Sequence, residues 1–176
     1  MMNQALREKI SKIKLVIVDV DGVLTDGRII FGDHGDELKF FDVQDGHGLV
    51  MLVRAGLKTA MMSAKKSRVN LRRAKELKMH KVYQNVHDKL KGFQKALKRF
   101  KVGAEEVCYI GDDLVDIPVL KRAGFAVAVQ GALPEAKAAA DHVTERPGGR
   151  GAVREVADMI LKAQGRWDAV TERYFR

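Results

Sequence analysis

Short apolar runs alternate with amphipathic helical patterns along most of this chain, and that alternation limits the folds open to it. The first run, Ile13 to Val18, is almost entirely aliphatic, as expected of a strand buried on both faces. Four further runs predict strands: Thr59 to Met62, Lys81 to Gln84, Glu106 to Ile110 and Phe125 to Val129. Strands that are separated by helices pair in parallel through right-handed crossovers. The sequence therefore predicts an α/β fold.

Five helices are predicted between and after these strands. They are about Gly46 to Gly56, Ser67 to Lys78, Asp88 to Phe100, a short helix that has Pro118 in its first turn and stops at Gly124, and about Ala152 to Gln164. Within the second of these, Leu71, Ala74 and Leu77 recur on one face and are expected to be buried. The predicted architecture is a Rossmann-like parallel sheet with helices on both faces.

A segment after the first strand departs from this alternation. Arg28 to Gly32 and Glu37 to Asp42 are extended runs on either side of a turn-like stretch that contains Asp33, His34 and Gly35. The pattern predicts a β-hairpin at about 28–42. This hairpin and one helix fill the interval between the first two strands of the sheet, so no cap domain is expected there.

Length and composition favour one domain over the whole chain, 1–176. The 176 residues are near the roughly 150 of a typical domain, and 46% of them are hydrophobic, enough for a sizeable core. No apolar run approaches the roughly 20 residues that span a bilayer, and Met1 to Lys14 lacks a signal-peptide core. Cys108 is the single cysteine, which favours a reducing cytoplasm. The polar C-terminal tail, 165–176, is expected to be disordered or docked on a neighbour.

Positive charge is concentrated in one stretch. The chain has 32 Lys and Arg against 23 Asp and Glu, a net charge of +9. Residues 65–101 contain 14 basic residues and two acidic ones, whereas the remainder has 18 basic and 21 acidic residues. Three interpretations are open: solvated helix faces, a nucleic-acid surface, or an electrostatic funnel for an anionic substrate. The lack of aromatic residues interleaved with the charges weighs against nucleic acid.

Two acidic motifs follow two of the predicted strands. Asp19 and Asp21, in the sequence Asp-Val-Asp-Gly, follow the first strand, and the sequence from Gly111 to Asp116 follows the strand that ends at Ile110. Carboxylates are costly inside an apolar strand, so we expect them at the strand tips, where open parallel sheets bind ligands. Turn formation or helix capping accounts for only some of these acids. The two motifs together predict a Mg²⁺ site, since Mg²⁺ takes carboxylates, waters and phosphate oxygens.

Ser63 and Lys89 follow two other predicted strands, and a hydroxyl and an ammonium at such places can hold the oxygens of a phosphate. In order and position, these four pieces resemble the motifs of the haloacid dehalogenase superfamily of phosphatases. The superfamily's Asp-x-Asp-Gly motif matches Asp19 to Val23, its Ser or Thr matches Ser63, and its Lys matches Lys89. Its fourth motif, Gly-Asp-Asp-x-x-Asp, matches Gly111 to Asp116.

Within that superfamily, the chain resembles the family of 3-deoxy-D-manno-octulosonate 8-phosphate phosphatases of lipopolysaccharide synthesis. The resemblance covers nearly the whole chain after residue 12. It is strongest in the stretches Asp19 to Gly27, Phe41 to Gly48, Tyr109 to Val119, Gly148 to Val156 and Ala163 to Gly165. It implies a capless, Mg²⁺-dependent phosphatase that frees the sugar acid through an aspartyl-phosphate intermediate.

The resemblance also implies the roles of the acidic residues. Asp19 would attack phosphorus, and Asp21 would protonate the leaving sugar oxygen and then activate water. The Mg²⁺ ion would be held by one oxygen of Asp19, the backbone carbonyl of Asp21 and Asp112. Asp113 and Asp116 would orient this shell or position the lysine of the third motif.

The remaining implied roles concern the substrate. Ser63 and Lys89 would stabilise the transferring phosphoryl group. The substrate-binding residues would be Asp42, Val43, Gln44, Asp45, Gly46, Lys65, Arg73 and Lys89. Two departures affect this pocket: the family's usual Thr-Gly-Arg is replaced by Ser63-Ala64-Lys65, and Val50 stands where some members carry an Arg. Lysine lacks the planar bidentate fork of arginine, so these changes bear on substrate identity.

The resemblance further implies a homotetramer, with the hairpins packed centrally and a neighbour's C-terminal tail near each site. Three alternatives remain open from the residues. They are a phosphatase of another sugar-acid phosphate, such as a nine-carbon acid, a non-enzymatic phospho-acceptor domain, and a nucleic-acid-binding protein. The Asp-x-Asp-Gly on the first strand favours the phosphatase over the phospho-acceptor domain. The expected partners are therefore a small sugar phosphate and further copies of the chain, with neither nucleic acid nor membrane.

Overall fold

The computed structural model describes residues 4–35 and 37–176, so the predicted domain 1–176 includes four residues that lie outside the described part. The strands are β1 (Leu15–Val18), β2 (Ile30–Phe31), β3 (Glu37–Leu38), β4 (Lys58–Met62), β5 (Lys81–Tyr83), β6 (Val107–Gly111), β7 (Phe125–Ala128) and β8 (His142–Val143). The α-helices are α1 (Gln4–Ser11), α2 (Val43–Arg54), α3 (Arg68–Glu76), α4 (Lys89–Phe100), α5 (Ile117–Leu120), α6 (Pro134–Ala138), α7 (Ala152–Ala163) and α8 (Trp167–Thr171).

Six of the strands form one parallel sheet in the order β5-β4-β1-β6-β7-β8. The central strand β1 is fully buried, and Val18 pairs with Met61 of β4 on one side and with Ile110 of β6 on the other. Helix α7 contacts both α1 and α2 in one layer, while α4 contacts α5 in the other. The predicted α/β sheet with helices on both faces is confirmed. No helix of the described chain has the length and apolarity that crossing a bilayer requires.

The predicted hairpin is confirmed as well, with strands of only two residues each. Ile30 pairs with Leu38, and Phe31 pairs with Glu37, in antiparallel register. In the described chain, the hairpin and α2 account for the regular structure between β1 and β4, with no inserted cap domain.

Some predicted boundaries were wrong for reasons that the structure makes clear. Helix α2 begins at Val43, three residues before the predicted start, because Asp42 caps it by accepting a hydrogen bond from the amide of Asp45 at 3.0 Å. Leu71 was predicted to be buried but is 49% exposed, and its neighbour Asn70 is buried instead. The short elements α1, α6 and β8 were not predicted.

The C-terminal tail, 165–176, is ordered, so the expectation of disorder was wrong, whereas docking on a neighbour stays a prediction. The tail forms α8 and packs against its own chain, with Val170 and Thr171 buried. The Arg54 guanidinium donates a hydrogen bond to the hydroxyl of Tyr174, and the rings of His47 and Tyr174 meet edge to face at 5.5 Å. The tail therefore packs against α2.

Candidate active site

The two acidic motifs meet at the carboxyl edge of the sheet. The amide of Asp19 donates to the carbonyl of Ile110 at 3.0 Å, which extends the pairing of β1 and β6 to the first acidic residue. Carboxylate oxygens of Asp19, Asp112 and Asp116 lie within 4.8 Å of one another. The structure thus brings together acids that are about 90 residues apart in the sequence.

Lys89 joins this cluster from the start of α4. Its Nζ lies 2.8 Å from Oδ2 of Asp19 and 2.5 Å from Oδ1 of Asp116, and its side chain is almost completely buried. The hydroxyl of Tyr109 also donates to Oδ1 of Asp116. Sequence analysis gave Tyr109 no role, although it lies in a stretch that carried the resemblance. The buried carboxylate of Asp116 therefore holds Lys89 against Asp19.

The other oxygen of Asp116 organises the acidic loop. It accepts hydrogen bonds from the backbone amides of Asp112 at 3.0 Å and Asp113 at 3.2 Å. Asp113 itself is exposed, and its Oδ1 accepts from the amide of Leu114 at 2.6 Å, so it caps the short 3₁₀ turn that follows. Asp116 thus fixes the backbone from which Asp112 projects.

Burial and mutual repulsion perturb the carboxylates of this cluster. Burial raises the pKa of Asp19 from 3.8 to about 6, with Lys89 lowering it and Asp116 raising it further. Burial, followed by the charges of Asp19 and Asp116, raises the pKa of Asp112 to about 8. Burial opposes the charge on Lys89, but the carboxylates of Asp19 and Asp116 outweigh it and raise the pKa of its ammonium. The site has more negative charge than its own residues neutralise.

These residues fit a hard divalent cation. Three carboxylates face one ammonium, a formal excess of two negative charges. Oδ1 of Asp112 is buried, and no group in the described part of the chain donates a hydrogen bond to it. An anionic oxygen without a donor, beside two further carboxylates, is the donor set that Mg²⁺ prefers.

Glycines allow the loop that carries Asp19 and Asp21 to approach the loop that carries Asp112. Gly22 has a φ of 91°, and a Cβ there would lie 2.0 Å from Oδ2 of Asp112. Gly148 packs on the opposite side, where a Cβ would lie 1.7 Å from the carbonyl oxygen of Gly22. Thr25, which is fully buried, accepts hydrogen bonds from the amides of Gly22 and Gly27. Sequence analysis gave no structural role to Thr25 or Gly148.

Ser63 and Asp21 lie at the same edge of the sheet. Ser63 is buried just beyond the end of β4, the neighbour of β1, and its Oγ accepts from the amide of Lys65 at 3.1 Å. Asp21 is half-buried, and its Oδ1 lies 2.5 Å from Nζ of Lys39 in the hairpin. Sequence analysis did not single out Lys39, because an isolated lysine in a hairpin carries no motif.

The predicted substrate-binding segment 42–46 opens α2. Val43 is 82% exposed, and the side chain of Gln44 accepts a hydrogen bond from Arg146 at 2.9 Å. Asp45 is different: it is buried, and its carboxylate accepts from the amides of Gly151 at 3.1 Å and Arg154 at 2.8 Å. Burial raises the pKa of Asp45 despite these bonds. The carboxylate of Asp45 therefore connects the start of α2 to the start of α7 through hydrogen bonds.

Arg73 and Gly46 are in close contact. A Cβ on Gly46 would lie 2.2 Å from the guanidinium of Arg73, which donates to the carbonyl of Asp42 at 3.1 Å and pairs with Glu76 at 3.0 Å. The guanidinium also lies over the ring of Phe41, 5.5 Å from its centroid. In this arrangement Arg73 supports the backbone of the predicted substrate-binding segment.

Lys65 lines a cavity of about 890 Å³ between the hairpin and the loop that connects β4 to α3. The hairpin contributes residues around His34, and the opposite wall carries Lys65, Lys66 and Arg68. The amide of Lys65 contacts Ser63, so the cavity adjoins the acidic site. Its cationic wall suits an anionic ligand.

Comparisons with known proteins agree with this geometry. Residues 54–156 match the model of a family of haloacid dehalogenase-like hydrolases. The chain is 42% identical over 160 residues to the 3-deoxy-D-manno-octulosonate 8-phosphate phosphatase of Escherichia coli strain K12, covering 91% of this chain and 85% of that protein.

Solved structures show the same likeness. The corresponding phosphatase from Moraxella catarrhalis, solved with magnesium, phosphate and the sugar acid KDO, superposes with a TM-score of 0.95 at 40% identity, covering 99% of both chains. A probable YrbI family phosphatase from Pseudomonas syringae pv. phaseolica superposes with a TM-score of 0.96 at 41% identity, again over 99% of both chains.

Proposed function

The chain belongs to the haloacid dehalogenase-like hydrolases, and from that membership we propose that it hydrolyses 3-deoxy-D-manno-octulosonate 8-phosphate to the free sugar acid and phosphate. It is a Mg²⁺-dependent phosphoric monoester hydrolase that acts in lipopolysaccharide precursor synthesis. The observation that carries this conclusion is the 42% identity to a phosphatase of that substrate over 91% of the chain, together with the intact acidic site.

Asp19 is the nucleophile. It stands at the tip of the central strand, and its Oδ2 is held by Lys89, so the carboxylate has a fixed orientation. Its pKa of about 6 leaves it mostly ionised at neutral pH, as a nucleophile must be. The attack forms an aspartyl phosphate, which water then hydrolyses.

Asp21 is the general acid and base. It protonates the sugar oxygen as that oxygen leaves phosphorus, and it then removes a proton from the attacking water. Ser63 and Lys89 donate hydrogen bonds to the transferring phosphoryl group, whose charge spreads over its outer oxygens.

Asp19, Asp112 and the backbone carbonyl of Asp21 would hold the Mg²⁺ ion. When bound, the ion supplies positive charge that offsets the repulsion between the carboxylates and the phosphate. Asp116 and Asp113 keep the loop that carries Asp112 in place through the hydrogen bonds described above.

The cationic cavity beside Ser63 receives the sugar acid. Lys65 offers an ammonium to the substrate carboxylate from a wall that also carries Lys66 and Arg68. The turn formed by 42–46, supported by Arg73, approaches the substrate from the start of α2. This assignment accounts for part of the positive charge of residues 65–101. Most of the remaining basic side chains of this stretch lie on solvated helix faces.

Assembly and location complete the proposal. The hairpin exposes Phe31, Leu38 and Phe40, which are 76%, 54% and 64% exposed, and apolar side chains grouped in this way suit an interface between copies of the chain. We propose a homotetramer built around the hairpins. A cytoplasmic location is proposed from the single, unpaired and buried Cys108.

The test is release of inorganic phosphate from the octulosonate phosphate by the purified protein. We expect turnover with Mg²⁺, none after chelation by EDTA, and recovery when Mg²⁺ is restored. Asp19→Asn should lower kcat on the order of 10³-fold or more, whereas Asp168→Asn, an exposed aspartate on α8, should behave as wild type. Faster turnover of a nine-carbon sugar-acid phosphate would assign a different substrate to the same site.

A further inference from the structure

Each carboxylate of the Asp-x-Asp motif has its own lysine. Asp19 pairs with Lys89 at 2.8 Å, and Asp21 pairs with Lys39 at 2.5 Å. Among the described residues, Lys39 is the hydrogen-bond donor to the Asp21 side chain, and only Oδ1 receives such a bond. Oδ2 of Asp21 is therefore left for another partner.

The side chain of Lys39 is buried although the hairpin around it is exposed. Its side chain has no exposed surface, whereas the neighbouring Leu38 and Phe40 face outward, as alternation along an extended strand requires. A buried ammonium is costly unless anionic groups compensate it, and Nζ lies within 3.4 Å of Glu37 as well as beside Asp21. The other Lys or Arg of the segment 28–42, Arg28, is 68% exposed and pairs with Asp26 instead.

We propose that Lys39 is a positioning residue that selects which oxygen of Asp21 transfers protons. The proposal rests on the function given above, in which Asp21 is the general acid and base. By holding Oδ1, Lys39 assigns the mobile proton to Oδ2. A neutral carboxylic acid keeps an acceptor on its other oxygen, so the hydrogen bond from Lys39 persists in both protonation states of Asp21.

The protons balance over the two steps. In the first, an oxygen of Asp19 bonds to phosphorus, the bond between phosphorus and the sugar oxygen breaks, and the proton on Oδ2 of Asp21 passes to that oxygen. In the second, water bonds to phosphorus, the bond to Asp19 breaks, and a proton of the water returns to Oδ2. Without Lys39 the carboxylate can rotate and exchange its two oxygens, and both transfers slow.

Lys39→Met, Lys39→Arg and the matched control Arg28→Met test this role. With the octulosonate phosphate, we expect Lys39→Met to lower kcat about 10- to 100-fold, less than the roughly 10²- to 10⁴-fold of losing the acid–base group itself, with KM changed by less than about two-fold. Lys39→Arg retains the charge and should recover part of the rate, and Arg28→Met should match wild type. Circular dichroism checks the fold of each variant.

A second substrate, p-nitrophenyl phosphate, distinguishes a loss of Asp21 positioning from general damage to the active site. Nitrophenolate leaves without being protonated, so formation of the aspartyl phosphate should stay fast in Lys39→Met while its hydrolysis slows. Stopped-flow should then show a burst of about one nitrophenolate per active site, absent from wild type.

Loss of rate on both substrates without a burst would overturn the role of Lys39, as would a Lys39→Arg variant no faster than Lys39→Met. Failure of the wild-type protein to hydrolyse the octulosonate phosphate would instead overturn the proposed substrate, and the burst would still report on Lys39.

Discussion

Asp112 is the most strongly perturbed carboxylate of the site. Its burial and the neighbouring charges of Asp19 and Asp116 raise its pKa from 3.8 to about 8, and one of its oxygens has no donor in the described chain. A carboxyl group in such surroundings retains its proton when no cation is bound, and it ionises when a cation binds beside it. Under the proposed function, in which Asp112 holds Mg²⁺, the proton and Mg²⁺ compete at this residue.

The competition gives the metal-free protein a defined pH dependence. Between about pH 4 and pH 8, folded Asp112 retains a proton that the unfolded chain has lost, so the free energy of unfolding should fall as pH rises through this window. Asp19 adds to this effect up to about pH 6. We expect the rise in Tm on addition of Mg²⁺ to be larger at pH 8 than at pH 5, measured by calorimetry in EDTA and in Mg²⁺. An equal rise in Tm at both pH values would contradict this expectation. So would an Asp112→Asn variant in which the rise in Tm differs between the two pH values as much as in wild type.

Individual residues were predictable from sequence where a motif names them. Asp19, Asp112 and Lys89 meet as expected because each follows a strand, and neighbouring parallel strands end at one edge. The partners of Asp45 could not be predicted, since Gly151 and Arg154 are more than 100 residues away. The burial of Asn70 could not be predicted either, since its side-chain amide has no hydrogen-bond partner among the described residues.

At the scale of elements, the geometry of the loop that carries Asp19 and Asp21 depends on residues 148–149, more than 120 residues further along the chain. The amide of Gly149 donates to the carbonyl of Val23 at 2.8 Å, and Gly148 rests directly on Gly22. Because both contacts involve backbone atoms, neither can relax through a side-chain rotation. The loop that carries Asp19 and Asp21 is therefore fixed by two contacts outside its own sequence.

Gly148→Ala should displace this loop. The added Cβ would lie 1.7 Å from the carbonyl oxygen of Gly22, so we expect a fall in kcat/KM of about ten-fold or more, because small displacements at a reacting centre are costly. Gly131→Ala is the matched control, since a Cβ there meets nothing within 4 Å. Steady-state kinetics with the sugar phosphate measure both. Wild-type kcat/KM in Gly148→Ala would show that the contact does not position the loop.

Most of the long elements were predicted, whereas several of the short ones were not. The strands of the sheet core are short apolar runs and helices α4 and α7 follow clear periodic patterns, and the predicted bounds of both differ from the structure by a residue or two. Elements of two to five residues, such as β8, α6 and α8, are too short to show a period. Their conformation depends on the surfaces that they pack against, as the contacts of Tyr174 with α2 illustrate.

At the scale of the whole molecule, the hairpin is the surface that we expect to mediate assembly. Phe31→Glu combined with Phe40→Glu should convert the proposed tetramer to smaller species, because like charges would be buried in an apolar interface. Sedimentation velocity measures the change, and Leu71→Glu, at a side chain 49% exposed on α3, is the control. A wild-type protein that sediments as a fully active monomer would exclude the tetramer.

The contact between Gly148 and Gly22 also bears on synthesis of the protein. Once a ribosome has translated Asp116, the nascent chain already includes Asp19, Ser63, Lys89 and the second acidic motif, which are the residues proposed to act on the phosphoryl group or to hold Mg²⁺. Gly148 and Gly149, whose backbone contacts the loop that carries Asp19 and Asp21, are translated some thirty residues later. The same holds for Gly151 and Arg154, whose amides donate hydrogen bonds to Asp45. Chemical competence should thus arise only after residues 148–154 have been translated and have packed against the loop that carries Asp19 and Asp21.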